Sequence, residues 1–160
     1  MYSKAKQRLT ALVGDHDHNI LKGGLTGIEK ESLRVGADGS IAQTPHPAVL
    51  GSALTHPSIT TDYSEALLEF ITPPLESAGA ALDYLRDLQH FVYMKLEGEL
   101  LWSSSMPCVV AGGESIPIAR YGSSNIGLMK TVYRRGLGYR YGRVMQVIAG
   151  VHYNYSFADA

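Results

Sequence analysis

The chain has 160 residues, of which 45% are apolar and 18% charged, and its formal net charge is −1. That length supports one domain with a sizeable core and hardly two. The near-zero charge argues against a nucleic-acid or anionic-membrane partner, since either needs a clustered basic excess. The single cysteine, Cys108, excludes an intrachain disulfide and suits a reducing cytosol, so a cytoplasmic setting is expected. No His or Lys adjoins it to lower its pKa, and it reads as a small buried hydrophobe. The N-terminus is polar, without the apolar stretch of a signal peptide, and no run approaches the length of a membrane span.

Residues 2–13 predict a short amphipathic helix with Leu9, Leu12 and Val13 on one side. The run Asp15-His16-Asp17-His18-Asn19 has metal-like composition but no apolar support, and reads as solvated loop. Gly23-Gly24 opens a strand that carries Glu29 and Glu31. Asp38-Gly39 is a hairpin signal, with Ile41 starting a returning strand. Residues 43–60, with Pro45, Pro47, Gly51 and Pro57, predict an ordered loop, and residues 67–72 a strand stopped by Pro73-Pro74. From Glu76 to about Glu97 the apolar period becomes 3.6, with Ala81, Leu85, Leu88, Val92 and Leu96 on one helical face. Residues 102–107 are loop. Residues 127–141 predict a second helix, weakened by Gly136 and Gly138, and 144–157 a final strand. This order predicts an α+β fold with a mainly antiparallel sheet and flanking helices.

The final strand splits into two unlike faces. Val147, Ala149, Val151, Tyr153, Tyr155 and Phe157 form an apolar face that demands a core. Gln146, Ile148, Gly150, His152, Asn154 and Ser156 form a face of uncharged, ligand-binding groups. Carboxylates that would complete such a site lie upstream. Glu29 and Glu31 share one strand face and repel each other unless water or a cation intervenes. Glu69 sits between Leu68 and Phe70, where an unpaired carboxylate is costly to bury. The plainer alternatives are a solvated face for Glu29 and Glu31, and an edge position or an ion pair with Arg34 for Glu69. Three strand carboxylates with a strand histidine favour a divalent-metal site, and its oxygen-rich donors suit Mg²⁺ or Mn²⁺ better than zinc. The cluster Arg134, Arg135, Arg140 and Arg143 reads either as a solvated helix face or as a contact to anionic substrate groups.

Six segments carry a resemblance to a known family. They are residues 27–35 (Gly-Ile-Glu-Lys-Glu-Ser-Leu-Arg-Val), 50–56 (Leu-Gly-Ser-Ala-Leu-Thr-His) and 59–73 (Ile-Thr-Thr-Asp-Tyr-Ser-Glu-Ala-Leu-Leu-Glu-Phe-Ile-Thr-Pro). The others are 105–108 (Ser-Met-Pro-Cys), 121–125 (Tyr-Gly-Ser-Ser-Asn) and 150–154 (Gly-Val-His-Tyr-Asn). In this order they resemble glutamate–cysteine ligase of the proteobacterial type. The resemblance implies a glutamine synthetase-like fold whose curved sheet holds ATP, glutamate and several Mg²⁺ ions. It also implies the first reaction of glutathione synthesis, in which ATP phosphorylates the glutamate γ-carboxylate and the cysteine amine then displaces phosphate. Matched motif by motif, Glu29, Glu31, Asp62, Glu69 and His152 take metal-ligand roles. Tyr63, Tyr133, Leu137 and Gln146 fall at the cysteine pocket, and Ile148 and Asn154 near glutamate and nucleotide. The sequence departs at Tyr63, where the family pattern has Phe.

The same resemblance implies that residues 1–160 are the N-terminal part of one catalytic domain. The remainder of the family's length would supply a further metal carboxylate, a substrate-binding arginine and much of the ATP pocket. On that expectation the chain carries half a site and is inactive alone. Its partners are then glutamate, cysteine, ATP and the missing C-terminal segment. Two alternatives stand beside it: a carboxylate–amine ligase for another amine, decided at Tyr133, Leu137 and Gln146, and a non-catalytic remnant or partner of a separate C-terminal piece.

Overall fold

The computed structural model describes residues 2–14 and 22–158, so the Asp-His-Asp-His run lies outside the described residues. Helix α1, Tyr2–Gly14, forms as the periodicity predicts but buries none of its residues. Strand β1, Thr26–Val35, is the hub of the sheet. One edge of β1 pairs with β3, Leu67–Ile71, which in turn pairs with β2, Ile59–Thr61. The other edge is shared by β5, Val151–Tyr155, along Thr26–Lys30, and by the two-residue β4, Leu100–Leu101, at Arg34 and Val35. All four pairings are antiparallel, as expected. Pro73 and Pro74, which lack a backbone N–H, end the β1–β3 ladder in a bulge. There Thr72 Oγ1 accepts from Ile28 N–H, and Leu75 takes up the pairing with Thr26.

The period of two in β1 sends alternate residues to opposite faces. Ile28 lies on one face with Leu68, Phe70 and Ile59, and helix α2, Ala78–Tyr93, covers them with Ala81, Leu85 and Val92. Ser77 caps α2 by accepting from Ala80 N–H. The opposite face is divided. Leu33, Val35 and Leu67 are buried with Ile41, Tyr63, Cys108, Ile116 and Val147, whereas Glu29, Glu31 and Glu69 lie further along, only half-buried. Cys108 is a core residue, and burial pushes its thiol up. Helix α3, Asn125–Tyr141, capped by Ser124, rests Leu137 on this second core.

Three expectations need correction. The predicted loop 43–60 already contains the start of β2 at Ile59, because Ile59 is drawn into the α2 core. Ile41 forms an isolated bridge to Val35 instead of a strand; the turn before it is closed by Gly39, at φ 77°, and by Asp38 accepting from Ser40. The strand predicted over 144–157 shrinks to Val151–Tyr155, since Val144–Val147 is a 3-10 turn. Its supposed apolar face is not continuous. Val147 and Ala149 are buried in the second core, while Val151 and Tyr153 stand opposite Lys30 and Ile28 on the α2 side of the sheet. Alternation breaks at Gly150. Helix α2 packs on β1 and β3, and Val151, Tyr153, Tyr155 and Phe157 are exposed.

Candidate functional site

The antiparallel register brings the carboxylates together. Glu31 is directly opposite Glu69 across β1–β3, and Glu29 is opposite His152 across β1–β5. Directly opposed residues share a face, and Glu29 and Glu31 are two apart, so all four side chains occupy one side of the sheet. Asp62 follows β2 at the margin of this face, close enough for its charge to raise both Glu31 and Glu69. Its backbone is clamped from α3 and the preceding loop. Tyr121 Oη donates to the carbonyls of Thr61 and Asp62, Arg134 Nε donates to Asp62 O at 2.6 Å, and the Arg134 guanidinium lies 4.8 Å from the Tyr121 ring centre.

Each carboxylate has a distinct environment. Glu31 Oε2 accepts from Gly150 N–H at 2.7 Å, and burial holds its carboxyl above the usual range despite that bond. Burial first, then the charges of Asp62, Glu31 and Glu29, push Glu69 up to about 7. Glu29 is held from β5: Asn154 Nδ2 donates to its Oε1 at 2.9 Å, and His152 Nδ1 lies 3.8 Å from its Oε2. The expected Arg34–Glu69 pair does not form. Arg34 points to the other face, fully buried, and pairs with Glu99 at 2.6 Å.

Gly150 keeps a space open in this site. A Cβ there would stand 3.0 Å from His152 Nε2 and 3.5 Å from Glu31 Oε2, so the glycine leaves a gap between an imidazole nitrogen and a carboxylate oxygen. A hard cation suits that donor set, and it would offset both the desolvation of Glu69 and its repulsion by Asp62, Glu31 and Glu29. Among the described residues no three His, Cys, Asp or Glu side chains close round one point as a ready-made cage. Mg²⁺ rarely needs one, because one or two carboxylates, waters and ligand phosphate oxygens complete its octahedron.

The residues expected to bind substrate are dispersed. Tyr63 is only 1% exposed, and among the described residues its hydroxyl has no hydrogen-bond partner. It lies beneath Gly138, where a Cβ would come within 2.4 Å of Tyr63 Oη. Tyr133 is exposed on α3, Leu137 is partly buried against the second core, and Ile148 is half-exposed. Gln146 belongs to the 3-10 turn instead of the strand. Asn154 alone of this group touches the carboxylates. Of the cationic cluster, Arg134 holds the Asp62 backbone and Arg143 pairs with Glu114 at 3.0 Å. Sequence reasoning missed the clamp made by Tyr121 and Arg134. Its traces were the motif at 121–125 and Arg134 in the basic cluster, neither of which points to the Asp62 backbone by itself.

The fold and this face define an α+β protein with a carboxylate-rich site laid on one side of an antiparallel sheet. Residues 9–160 match the family described as glutamate-cysteine ligase. A glutamate–cysteine ligase of Alcanivorax borkumensis is 57% identical over 97% of this chain and 30% of its own length. One from Saccharophagus degradans is 61% identical over 88% of the chain and 27% of its own. A solved glutamate–cysteine ligase from Francisella tularensis, in complex with AMP, has a TM-score of 0.81 at 47% identity, covering 84% of this chain and 27% of that one. A bifunctional glutathione synthetase from Pasteurella multocida gives 0.76 at 38%, covering 84% and 17%. The chain belongs to the glutamate–cysteine ligase family, and it spans about 30% of the length of the curated relatives it matches.

Proposed function

We propose that the carboxylate face serves an ATP-dependent ligase that joins the glutamate γ-carboxylate to the cysteine amine, the first reaction of glutathione synthesis. The observation that carries this reading is the cross-strand set of Glu29, Glu31, Glu69 and His152, found in a member of this family. Glu29, Glu31, Asp62, Glu69 and His152 would hold Mg²⁺. When bound, the cations neutralise the repulsion between a polyphosphate and a carboxylate and stabilise charge during phosphoryl transfer.

The chain's own residues then have separable tasks. Gly150 N–H orients the Glu31 carboxylate, Asn154 fixes Glu29, and the half-buried Glu69 sits where water is partly excluded. Tyr121 and Arg134 keep Asp62 at the margin. The glutamate γ-carboxylate would attack the terminal phosphorus of ATP with loss of ADP. The cysteine nitrogen would then attack the acyl carbon, expelling phosphate and giving up a proton. Tyr63, Tyr133, Leu137, Gln146, Ile148 and Asn154 are assigned to substrate contact by resemblance. Among the described residues no helix is long and apolar enough to cross a membrane, and the proposed setting is the cytoplasm.

The test uses this chain co-expressed with the remaining segment of the Alcanivorax relative. Phosphate release that needs ATP, glutamate, cysteine and Mg²⁺ together, and that falls by about 1,000-fold in Glu69→Gln, is expected. Near-normal turnover in that variant removes Glu69 from the site. Release supported equally by other amines in place of cysteine would make the protein a ligase of different specificity.

A further inference from the structure

Helix α3 and the loop ahead of it enclose a groove of about 290 Å³. Helical spacing puts Thr131, Arg135 and Tyr139 on one stripe of α3, four residues apart. Thr131 and Arg135 line the groove, while Tyr139 lines an adjoining hollow of about 200 Å³ that shares Arg135, Arg143 and Glu114 with it. Arg120, on the loop, completes the set of three arginines. The loop wall is anchored from behind. Ser64 Oγ and Glu65 N–H donate to Pro117 O at 2.8 and 2.9 Å, and Arg120 N–H donates to Glu65 Oε2 at 2.7 Å. Arg143 is held as well, donating to Ile116 O at 3.3 Å and pairing with Glu114 at 3.0 Å. Among the described residues the guanidinium groups of Arg120 and Arg135 make no hydrogen bond or ion pair.

We propose that this groove binds the dianionic phosphate group of a small molecule, at a site separate from the carboxylate face. Charge selects the ligand. Three arginines against Glu114 leave two positive charges on the groove, in a chain whose formal net charge is −1. A dianion balances them, and the planar guanidinium fork matches the oxygens of a phosphate. The one carboxylate present is a weak competitor. Its side chain is 92% exposed, and an exposed ion pair is worth no more than about 1 kcal/mol. The adjoining hollow has room for an organic group, and the Tyr139 ring there offers a face for stacking. None of Glu29, Glu31, Asp62, Glu69 or His152 lines either hollow. Of the two readings of the basic cluster, contact with an anion therefore suits Arg135 and Arg143, with Arg120 added by the fold. The proposal rests on the groove alone and not on the metal or ligase roles above.

The experiment titrates inorganic phosphate, without Mg²⁺, into two proteins followed by the NMR signals of the arginine Nε–H groups. One is this chain, and the other is a chimera in which the remaining segment of the Alcanivorax relative continues from residue 160. The signals of Arg120, Arg135 and Arg143 are expected to shift together with one Kd, and chloride at equal ionic strength should not move them. Arg135→Gln removes an exposed cation without a partner, so melting stays unchanged while phosphate binding weakens by about 10-fold. Glu114→Gln frees Arg143 and should tighten binding by about 2- to 5-fold, a gain that a merely structural arginine cluster would not give. Phenyl phosphate separates the two sources of the ligand. Tighter binding of the ester with shifts in the Tyr139 ring marks an organic phosphate, and equal affinity marks free phosphate. Shifts reproduced by chloride, full affinity in Arg135→Gln, or weaker binding in Glu114→Gln overturns the proposal. So does binding that is present in the free chain and lost in the chimera, or displacement of phosphate by a lower concentration of hexa-aspartate, which would make the groove a peptide site. If the free chain does not fold, the chimera alone decides. Glu69→Gln, which the ligase reading expects to stop turnover, should leave phosphate binding here intact, so the two readings fail separately.

Discussion

Gly150 shows how a residue without a side chain shapes a site. Its N–H holds Glu31, and its missing Cβ leaves the gap between His152 and Glu31. Gly150→Ala is expected to push the imidazole aside and weaken Mn²⁺ binding by at least about 10-fold, as loss of a supporting contact usually does. A Mn²⁺ titration read by electron paramagnetic resonance checks this, and unchanged affinity refutes it. Glu69 makes a second prediction. Its carboxyl titrates near 7 in the folded chain, against 4.5 when unfolded, so between those values the native state holds a proton that the unfolded state releases. Stability from this group therefore falls as pH rises through that window. The metal-free chain should melt at higher temperature at pH 5 than at pH 8. Glu69→Gln should flatten that slope, and Mg²⁺ at pH 8 should restore stability only while Glu69 is present. A slope that rises with pH, or one indifferent to Glu69→Gln, contradicts the assignment.

Among the elements, α3 is the most informative. It has seventeen residues and only Gly127 is buried, so its position depends on few contacts. A Cβ at Gly127 would lie 2.4 Å from the Tyr121 carbonyl oxygen, whereas one at Gly136 meets nothing within 4 Å. Gly127→Ala should destabilise by about 1–3 kcal/mol through overpacking. Gly136→Ala should stabilise by about 0.5–1 kcal/mol through helix propensity alone. Chemical denaturation of both variants tests the pair, and equal signs would show that α3 does not dock through Gly127. The contrast also bears on the site, because Arg134 of the same helix fixes Asp62. Undocking α3 should loosen Asp62 and leave the Glu29–His152 pairing untouched.

At the scale of the whole molecule, one buried cation ties distant segments together. The Arg34 guanidinium donates to Glu99, to Thr44 Oγ1 and to the carbonyls of Thr44, Pro45 and Glu65. It thus joins β1 to the loop after it, to the turn before β3 and to the chain beyond α2. Arg34→Met leaves a nearly buried carboxylate and several carbonyls unpaired, and should cost about 3–5 kcal/mol. Thermal melting measures that loss. A cost below about 1 kcal/mol would mean that the segments hold together without the clamp.

Much of the site could be read along the chain because its logic is local. Parity within a strand placed Glu29 with Glu31, isolated Glu69 in an apolar run, and set His152 and Asn154 on one face of the last strand. The helix over 78–93 and its buried stripe followed from periodicity in the same way. What the sequence could not give was everything set by pairing across distance. The register puts Glu31 opposite Glu69, aims Arg34 at Glu99 on the far face, and positions Asp62 by a tyrosine and an arginine more than fifty residues away. The strand predicted over 144–157 failed for the same reason. Val147 and Ala149 share a core with Leu33, but Val151 and Tyr153 lie on the opposite face and remain uncovered. Alternation in the chain shows that residues differ in side, while only the packed sheet decides which side has a core beneath it.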